Sequence, residues 1–221
     1  MIDINGVRTV LIKEWKCFVG SDRSVFILYM ILVVSWSFLI ANSNTQINTG
    51  SLWLVFFSVI VAANFSNTVF ISERVTGTLE IFMTSGITRD SILFGKMVFV
   101  FLMSSFMGLL CIMFGITWQT IFPEFGTTSI GVYEIIVYLS STVLNIGSSA
   151  FLSVKMANPR LLHFANILIT AGVVIVYIAV SGFLYLPHYL LPAVLICGGI
   201  VMSIFARREF NSEKILQPVI F

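Results

Sequence analysis

The chain has 221 residues, of which 58% are hydrophobic and only 10% are charged, and its formal net charge at pH 7 is +2. A soluble domain carries about a quarter charged residues, so this composition excludes one; the small net charge gives no reason to expect nucleic acid as a partner. The apolar residues come in long runs rather than in alternation, which predicts an all-α membrane protein.

The segment before the first apolar run has the pattern of an amphipathic helix. Its apolar residues share one helical face, namely Val7, Val10, Leu11, Trp15 and Phe18, while Arg8, Lys13 and Lys16 lie off that face. We predict that residues 1–24 contain a helix at the cytoplasmic membrane surface, with Trp15 at headgroup depth. The pattern does not distinguish a plain membrane anchor from an elbow that joins the membrane part to a cytosolic partner.

Six apolar runs approach the roughly 20 residues that a helix needs to cross a bilayer. They cover residues 25–41, 52–71, 92–118, 132–154, 161–182 and 189–206. We therefore predict a six-helix transmembrane domain over residues 25–206 and a cytoplasmic C-terminal tail over residues 207–221. Because the first run is short and the third is long, we expect tilt or an interfacial end.

The basic residues lie on one predicted side of the membrane. All 12 Lys and Arg residues occur before the first span, between the second and third (counting Lys96, in the first turns of the third), between the fourth and fifth, or after the sixth. The other three connections contain none. By the positive-inside rule, the chain is predicted to be a multi-pass protein of the cytoplasmic membrane with both termini in the cytoplasm.

The connection between the second and third spans is unusually rich in charge. Residues 71–96 read ISERVTGTLEIFMTSGITRDSILFGK. On a helical wheel, one face is apolar (Val75, Leu79 and Phe82), and another is polar (Glu73, Gly77, Glu80 and Thr84). This predicts a short amphipathic helix over residues 72–86, although the same charges also fit a solvated loop.

The boundary with the next span carries its own signals. Gly86 is suited to end the short helix. Thr88 is the predicted N-cap of the third span, and Asp90 falls in the first turn, where a carboxylate suits the helix dipole.

The same stretch carries a family resemblance. The run Glu73-Arg74-Val75-Thr76-Gly77-Thr78-Leu79-Glu80, followed by Gly86-Ile87-Thr88-Arg89 and Gly95-Lys96, resembles the cytoplasmic signature of ABC-2 type transporter permeases. The order of an interfacial helix and six spans is similar to that family over the whole chain. The link between the fifth and sixth spans, residues 183–188, departs from many relatives because it is too short for an external cap.

The resemblance implies a coupling helix that docks into a groove on a cytosolic ABC ATPase subunit. The residues at or beside that contact would be Glu73, Arg74, Gly77, Thr78, Leu79 and Glu80. Arg89 and Lys96 would mark the return of the chain into the membrane. ATP closure of two ATPase subunits would then move the membrane helices and export a cargo.

The chain itself is not expected to hydrolyse ATP. A P-loop reads G-x-x-x-x-G-K-[ST], but Asp90 stands five positions before Gly95, and Met97 follows Lys96. ATP and Mg are therefore expected on the partner ATPase, and no cofactor in this chain. A six-span half-transporter needs a second half, and the simplest closed arrangement is a homodimer with two ATPase subunits.

Two other functions fit parts of the pattern. Ser148 in a Gly-Ser-Ser-Ala run suggests an intramembrane serine protease, but neither histidine is placed to activate it. The polar residues within the spans are Asn64, Asn67, Asn145 and Asn166. They are candidates for lining the path of a permease, or of an ion-coupled carrier or channel. More often, such residues form hydrogen bonds between helices, and we favour that interpretation.

The composition also predicts the class of cargo and bears on disulfide and metal sites. The 21 Phe and 9 Met residues, without a charged group in mid-span, favour export of a hydrophobic or amphipathic cargo such as a lipid-like molecule, drug or peptide. Three scattered cysteines predict neither a disulfide nor a metal site.

Overall fold

The computed structural model describes residues 3–20, 23–41, 49–71, 86–122, 131–156, 158–184 and 189–210. Over these residues the chain is all-helical, without a strand. The α-helices are α1 (Ile4–Val19), α2 (Arg23–Ala41), α3 (Thr49–Ser66), α4 (Arg89–Ile121), α5 (Val132–Lys155), α6 (Pro159–Leu184) and α7 (Leu190–Glu209). A π-helical turn, Asn67–Ile71, extends α3.

Five helices are long and apolar enough to cross a membrane: Leu52–Ile71, Arg89–Ile121, Val132–Lys155, Arg160–Val180 and Leu190–Glu209. They match the second to sixth predicted spans. The first predicted span corresponds to a shorter apolar helix, Phe26–Ala41. The chain is thus an all-α, multi-pass membrane protein, and the count of six spans stays a prediction.

Helix α4 is longer than a bilayer requires. Its 33 residues extend about 50 Å, against an apolar layer of about 30 Å. The indole Nε1 of Trp118 donates to Ser37 Oγ at 3.1 Å, so the last turns of α4 and α2 lie side by side. Phe26 near the start of α2 faces the same groove as Met103. The surplus turns of α4, those beyond the length needed to cross the apolar layer, therefore lie before about residue 100.

The surplus turns of α4 are covered by α1. An added Cβ at Gly95 would lie only 2.9 Å from Val10 Cβ, so glycine lets the two helices approach closely. Within α1 the buried residues are Gly6, Val10 and Glu14. The predicted helix is confirmed, but its buried face is centred on Val10, while Trp15 is 54% exposed.

Helix α5 is the centre of the bundle and contacts α3, α4, α6 and α7. Its contact with α7 is close because a Cβ on Gly147 would overlap the backbone of Gly199. The small residue at position 147 therefore lets the two helices pack closely. On the α4 side, the Tyr138 ring lies against Gly108, and its hydroxyl donates to the Ser104 carbonyl at 2.6 Å.

Candidate functional site

The predicted coupling helix lies outside the residues that the structure describes, which stop at Ile71 and resume at Gly86. So do six of the predicted contact residues: Glu73, Arg74, Gly77, Thr78, Leu79 and Glu80. The structure does describe both points where this segment joins the bundle. Gly86 has a φ of +77°, a left-handed conformation that favours glycine and often follows a helix end.

The start of α4 agrees with the prediction. Thr88 is the N-cap residue, with extended backbone angles, and Asp90 lies in the first turn. The Thr88 carbonyl accepts hydrogen bonds from the backbone N–H groups of Ser91 (3.0 Å) and Ile92 (3.1 Å). The Thr88 hydroxyl does not cap the backbone; it is hydrogen-bonded to Ser91 Oγ at 2.7 Å.

The end of α3 is held by the predicted residue Lys96. Its ammonium donates to the Val69 carbonyl at 2.6 Å and lies 5.8 Å from the centre of the Phe70 ring. Val69 belongs to the π-helical turn, where carbonyls at a helix end lack intrahelical donors and favour a cation. Lys96 is only 2% exposed. It therefore links the last turn before the undescribed segment to the first turns after it.

The N-terminal helix joins the same place. The Asp3 N–H donates to Ser91 Oγ at 2.7 Å, and a Cβ on Gly6 would lie 3.2 Å from Ser91 Cβ. Gly95 and Lys96 thus contact different neighbours: Gly95 lets α1 pack closely against α4, and Lys96 forms a hydrogen bond to the end of α3. We call this meeting of α1, the end of α3 and the start of α4 the three-helix junction.

Glu14 belongs to the junction and was missed by the sequence analysis. It is 5% exposed and accepts a hydrogen bond from Lys13 Nζ at 2.9 Å. Its charge also interacts with that of Lys96. The signal was the i, i+4, i+8 spacing of Gly6, Val10 and Glu14, which a search for apolar residues alone overlooks.

A pair of acidic and basic groups joins the junction to the last helix. Asp90 accepts hydrogen bonds from the guanidinium of Arg207, through Nε at 3.1 Å and Nη2 at 2.5 Å. The pair is solvent-exposed, so we attribute orientation rather than stability to it. The neighbouring predicted residue Arg89 is exposed at the first position of α4.

Two of the four candidate path residues, Asn145 and Asn166, lie in a buried polar network of α3, α5 and α6. Asn145 Nδ2 donates to Ser58 Oγ at 3.2 Å, and Thr170 Oγ1 donates to Asn145 Oδ1 at 2.8 Å. The Asn166 amide is hydrogen-bonded to Ser149 Oγ. These five side chains are fully buried, so the network holds three helices together.

The other two candidates, Asn64 and Asn67, lie nearer the end of α3. Asn64 is half-buried and donates to the Ile60 carbonyl at 2.9 Å. Asn67 lines a cleft of about 320 Å³ together with Arg160 and His163. Within the described part of the chain, neither Asn67 Oδ1 nor His163 Nδ1 has a hydrogen-bond partner.

The comparison with protein families decides the class. A family model described as "ABC-2 family transporter protein" matches residues 27–135, about half of the chain. The chain belongs to the ABC-2 transporter permeases. No curated protein matches it significantly. The matched residues run from α2 to the start of α5 and include the three-helix junction, except for the part that α1 contributes.

Family membership states what the permease is in general terms. It is a membrane transport subunit and not itself an ATPase, and permeases of this family work with a partner ABC ATPase. The buried surroundings of Ser148 agree with this class, because its hydroxyl donates to Asn166 Oδ1 at 2.7 Å rather than to an imidazole.

Replacing Asn145 by valine should destabilise the permease modestly. The change removes the amide that joins Ser58 to Thr170, and hydrogen bonds between membrane helices contribute about 0.6 kcal/mol each on average. We expect the melting temperature in detergent to fall by about 2–5 °C. Asn64→Val is the control, since Asn64 bonds only to its own helix among the described contacts. Equal melting shifts in the two variants would contradict a linking role for Asn145.

Proposed function

We propose that the permease is the membrane subunit of an ATP-driven exporter, and that residues 72–86 form the coupling helix through which a separate ABC ATPase drives it. The three-helix junction supports this proposal. A segment that transmits force needs both ends attached to rigid structure. Lys96 attaches the end of α3 to α4, and Ser91 attaches the start of α4 to α1.

The junction also suggests how movement spreads. Force applied at residues 72–86 reaches α3 through its π-helical turn and α4 through the turn that Thr88 caps. Helix α4 then carries it into the bilayer, because its surplus turns and its membrane part are one continuous helix. The exposed pair of Asp90 and Arg207 passes part of the motion to α7.

The assembly that follows is two copies of the permease with two copies of the ATPase. ATP and Mg are bound by the ATPase subunits. A homodimer lets two coupling helices respond together when the ATPases close. We further propose six spans, with α2 as the first, an interfacial helix within residues 1–24 and a tail at residues 207–221. Both termini lie in the cytoplasm, as the distribution of basic residues favours.

The proposed cargo is hydrophobic or amphipathic. Asn145 and Asn166 lie in a hydrogen-bonded network inside the protein rather than lining an open polar channel. Lys96, the buried cation of α4, is engaged with Val69 at the junction. These observations favour a lipid-like molecule, drug or peptide over an ion or a polar solute.

Two substitutions in the proposed coupling helix, one that reverses a charge and one that adds a bulky side chain, test the partnership with the ATPase. Glu80→Arg and Gly77→Trp are each expected to reduce co-purification of a co-expressed partner ATPase by about tenfold, because they alter the charge and shape of the contact face. ATP turnover of the assembled complex in nanodiscs should fall together with the co-purification. Glu124→Arg, the same charge change in a predicted external connection, is the control. The proposal is wrong if Glu80→Arg and Gly77→Trp leave both assembly and turnover unchanged.

A further inference from the structure

We propose that the groove between α1 and α4 binds one anionic phospholipid, with an acyl chain between the helices and its phosphate at Lys16. The groove has a volume of about 540 Å³, within the range of about 300–1,000 Å³ that small-molecule sites occupy. This inference rests on the chain being a membrane protein and is independent of the ATPase partnership.

The walls of the groove suit an acyl chain. All but one of the lining side chains are apolar or aromatic, among them Ile12 and Trp15 of α1 and Leu102 and Phe106 of α4. Met107 lies fully buried at its base, and methionine adapts to flexible apolar ligands. The α4 wall extends from Phe99 to Met107, about 12 Å along the helix. An apolar slot of this length, open to the bilayer, is filled by a lipid tail.

The position of the groove along α4 indicates the depth at which the lipid headgroup lies. The surplus turns of α4 end near residue 100, so the groove lies where the helix enters the apolar layer. Among the described residues, Lys16 is the one charged residue that lines it, and Trp15 beside it is 54% exposed. Tryptophan and lysine are the side chains that anchor proteins at headgroup depth.

The charge of Lys16 is available to a phosphate. Lys13, one turn earlier, is paired with the buried Glu14 at 2.9 Å. Among the described residues, no hydrogen bond or ion pair engages the Lys16 ammonium. A cation without a partner among the described residues, above an apolar slot, matches the two halves of an anionic phospholipid, and a zwitterionic lipid matches it less well.

The experiment compares retention of two lipids with identical acyl chains, phosphatidylglycerol and phosphatidylcholine, by the purified full chain in native mass spectrometry. The wild type should retain more phosphatidylglycerol. Lys16→Ala should lower its retention about fivefold, which corresponds to about 1 kcal/mol per basic residue, and leave phosphatidylcholine unchanged. Lys155→Ala, an exposed lysine at the end of α5, should change neither.

A second variant tests the slot. Leu102→Trp fills the mouth of the groove at a position that is 55% exposed, so folding should be preserved, as gel filtration will check. It should lower retention of both lipids. If Lys16→Ala and Leu102→Trp retain as much phosphatidylglycerol as the wild type, the proposal is overturned. It is also overturned if Leu102→Trp leaves lipid retention intact but lowers the fraction of dimer, since the groove would then be an interface between two copies.

Discussion

Lys96→Met is expected to uncouple the permease from its proposed ATPase, with ATP turnover of the assembled complex falling about tenfold. Methionine keeps the length of the side chain but donates no hydrogen bond to Val69, so the last turn of α3 is no longer fixed to α4. Residues along a path between two sites change coupling by about 0.5–2 kcal/mol, and tenfold corresponds to about 1.4 kcal/mol.

The same substitution has a readout that does not depend on the ATPase. Hydrogen–deuterium exchange in the turn Asn67–Ile71 should increase, because the Val69 carbonyl loses its donor. The melting temperature should change little. The cost of leaving the Val69 carbonyl unpaired is offset by the gain from removing a buried charge.

The matched control for Lys96→Met is Lys155→Met. Lys155 also lies over an aromatic ring, 4.6 Å from the centre of Phe151, but its side chain is exposed. We expect it to leave exchange and turnover unchanged. Unchanged exchange in the π-helical turn of Lys96→Met would refute the linking role of Lys96. Increased exchange with normal turnover would refute only its role in coupling.

Gly199→Leu should cause the largest loss of stability among the substitutions considered. A Cβ at this position would lie 2.8 Å from Leu144 N and Val143 C. Backbone atoms cannot rotate away as a side chain can, so α5 and α7 must separate. Overpacking of this kind costs about 1–3 kcal/mol or more, which corresponds to a fall in melting temperature on the order of 5–10 °C.

The control for the packing prediction is a glycine of the same bundle with open space around it. At Gly172 of α6, an added Cβ would meet nothing within 4 Å among the described residues. Gly172→Leu should therefore leave the melting curve in detergent, followed by fluorescence-detected gel filtration, nearly unchanged. Since leucine has a higher helix propensity than glycine, helix propensity cannot account for a loss. Equal losses at Gly172 and Gly199 would therefore refute the α5–α7 contact as the cause of the effect.

Local patterns were sufficient for much of the fold. Long apolar runs predicted the helices, and five of them are long and apolar enough to span a membrane. The N-cap at Thr88, Asp90 in the first turn and the amphipathic α1 were predicted from residue types within a few positions of each other. Such features depend on hydrogen bonds and periodicity within one helix, which neighbouring residues determine.

The candidate site was predicted less completely. The signature around Gly77 and Lys96 indicated the right family. It did not reveal that Lys96 bonds to Val69, that Glu14 is buried, or that Ser91 holds Asp3. The partners of these groups lie 27 and 88 positions away in two of the three cases, beyond the reach of any helical period.

The sequence by itself determined that this is a helical membrane protein of the ABC-2 type, because hydropathy and a short signature are properties of contiguous residues. The tertiary structure decided which faces meet. It placed Gly95 against α1 and Gly199 against α5, joined Asn145 to two other helices, and left Lys16 above an apolar groove. The physical reason is that helix formation depends on local hydrogen bonds, whereas helix packing depends on the shapes of surfaces that distant parts of the chain supply.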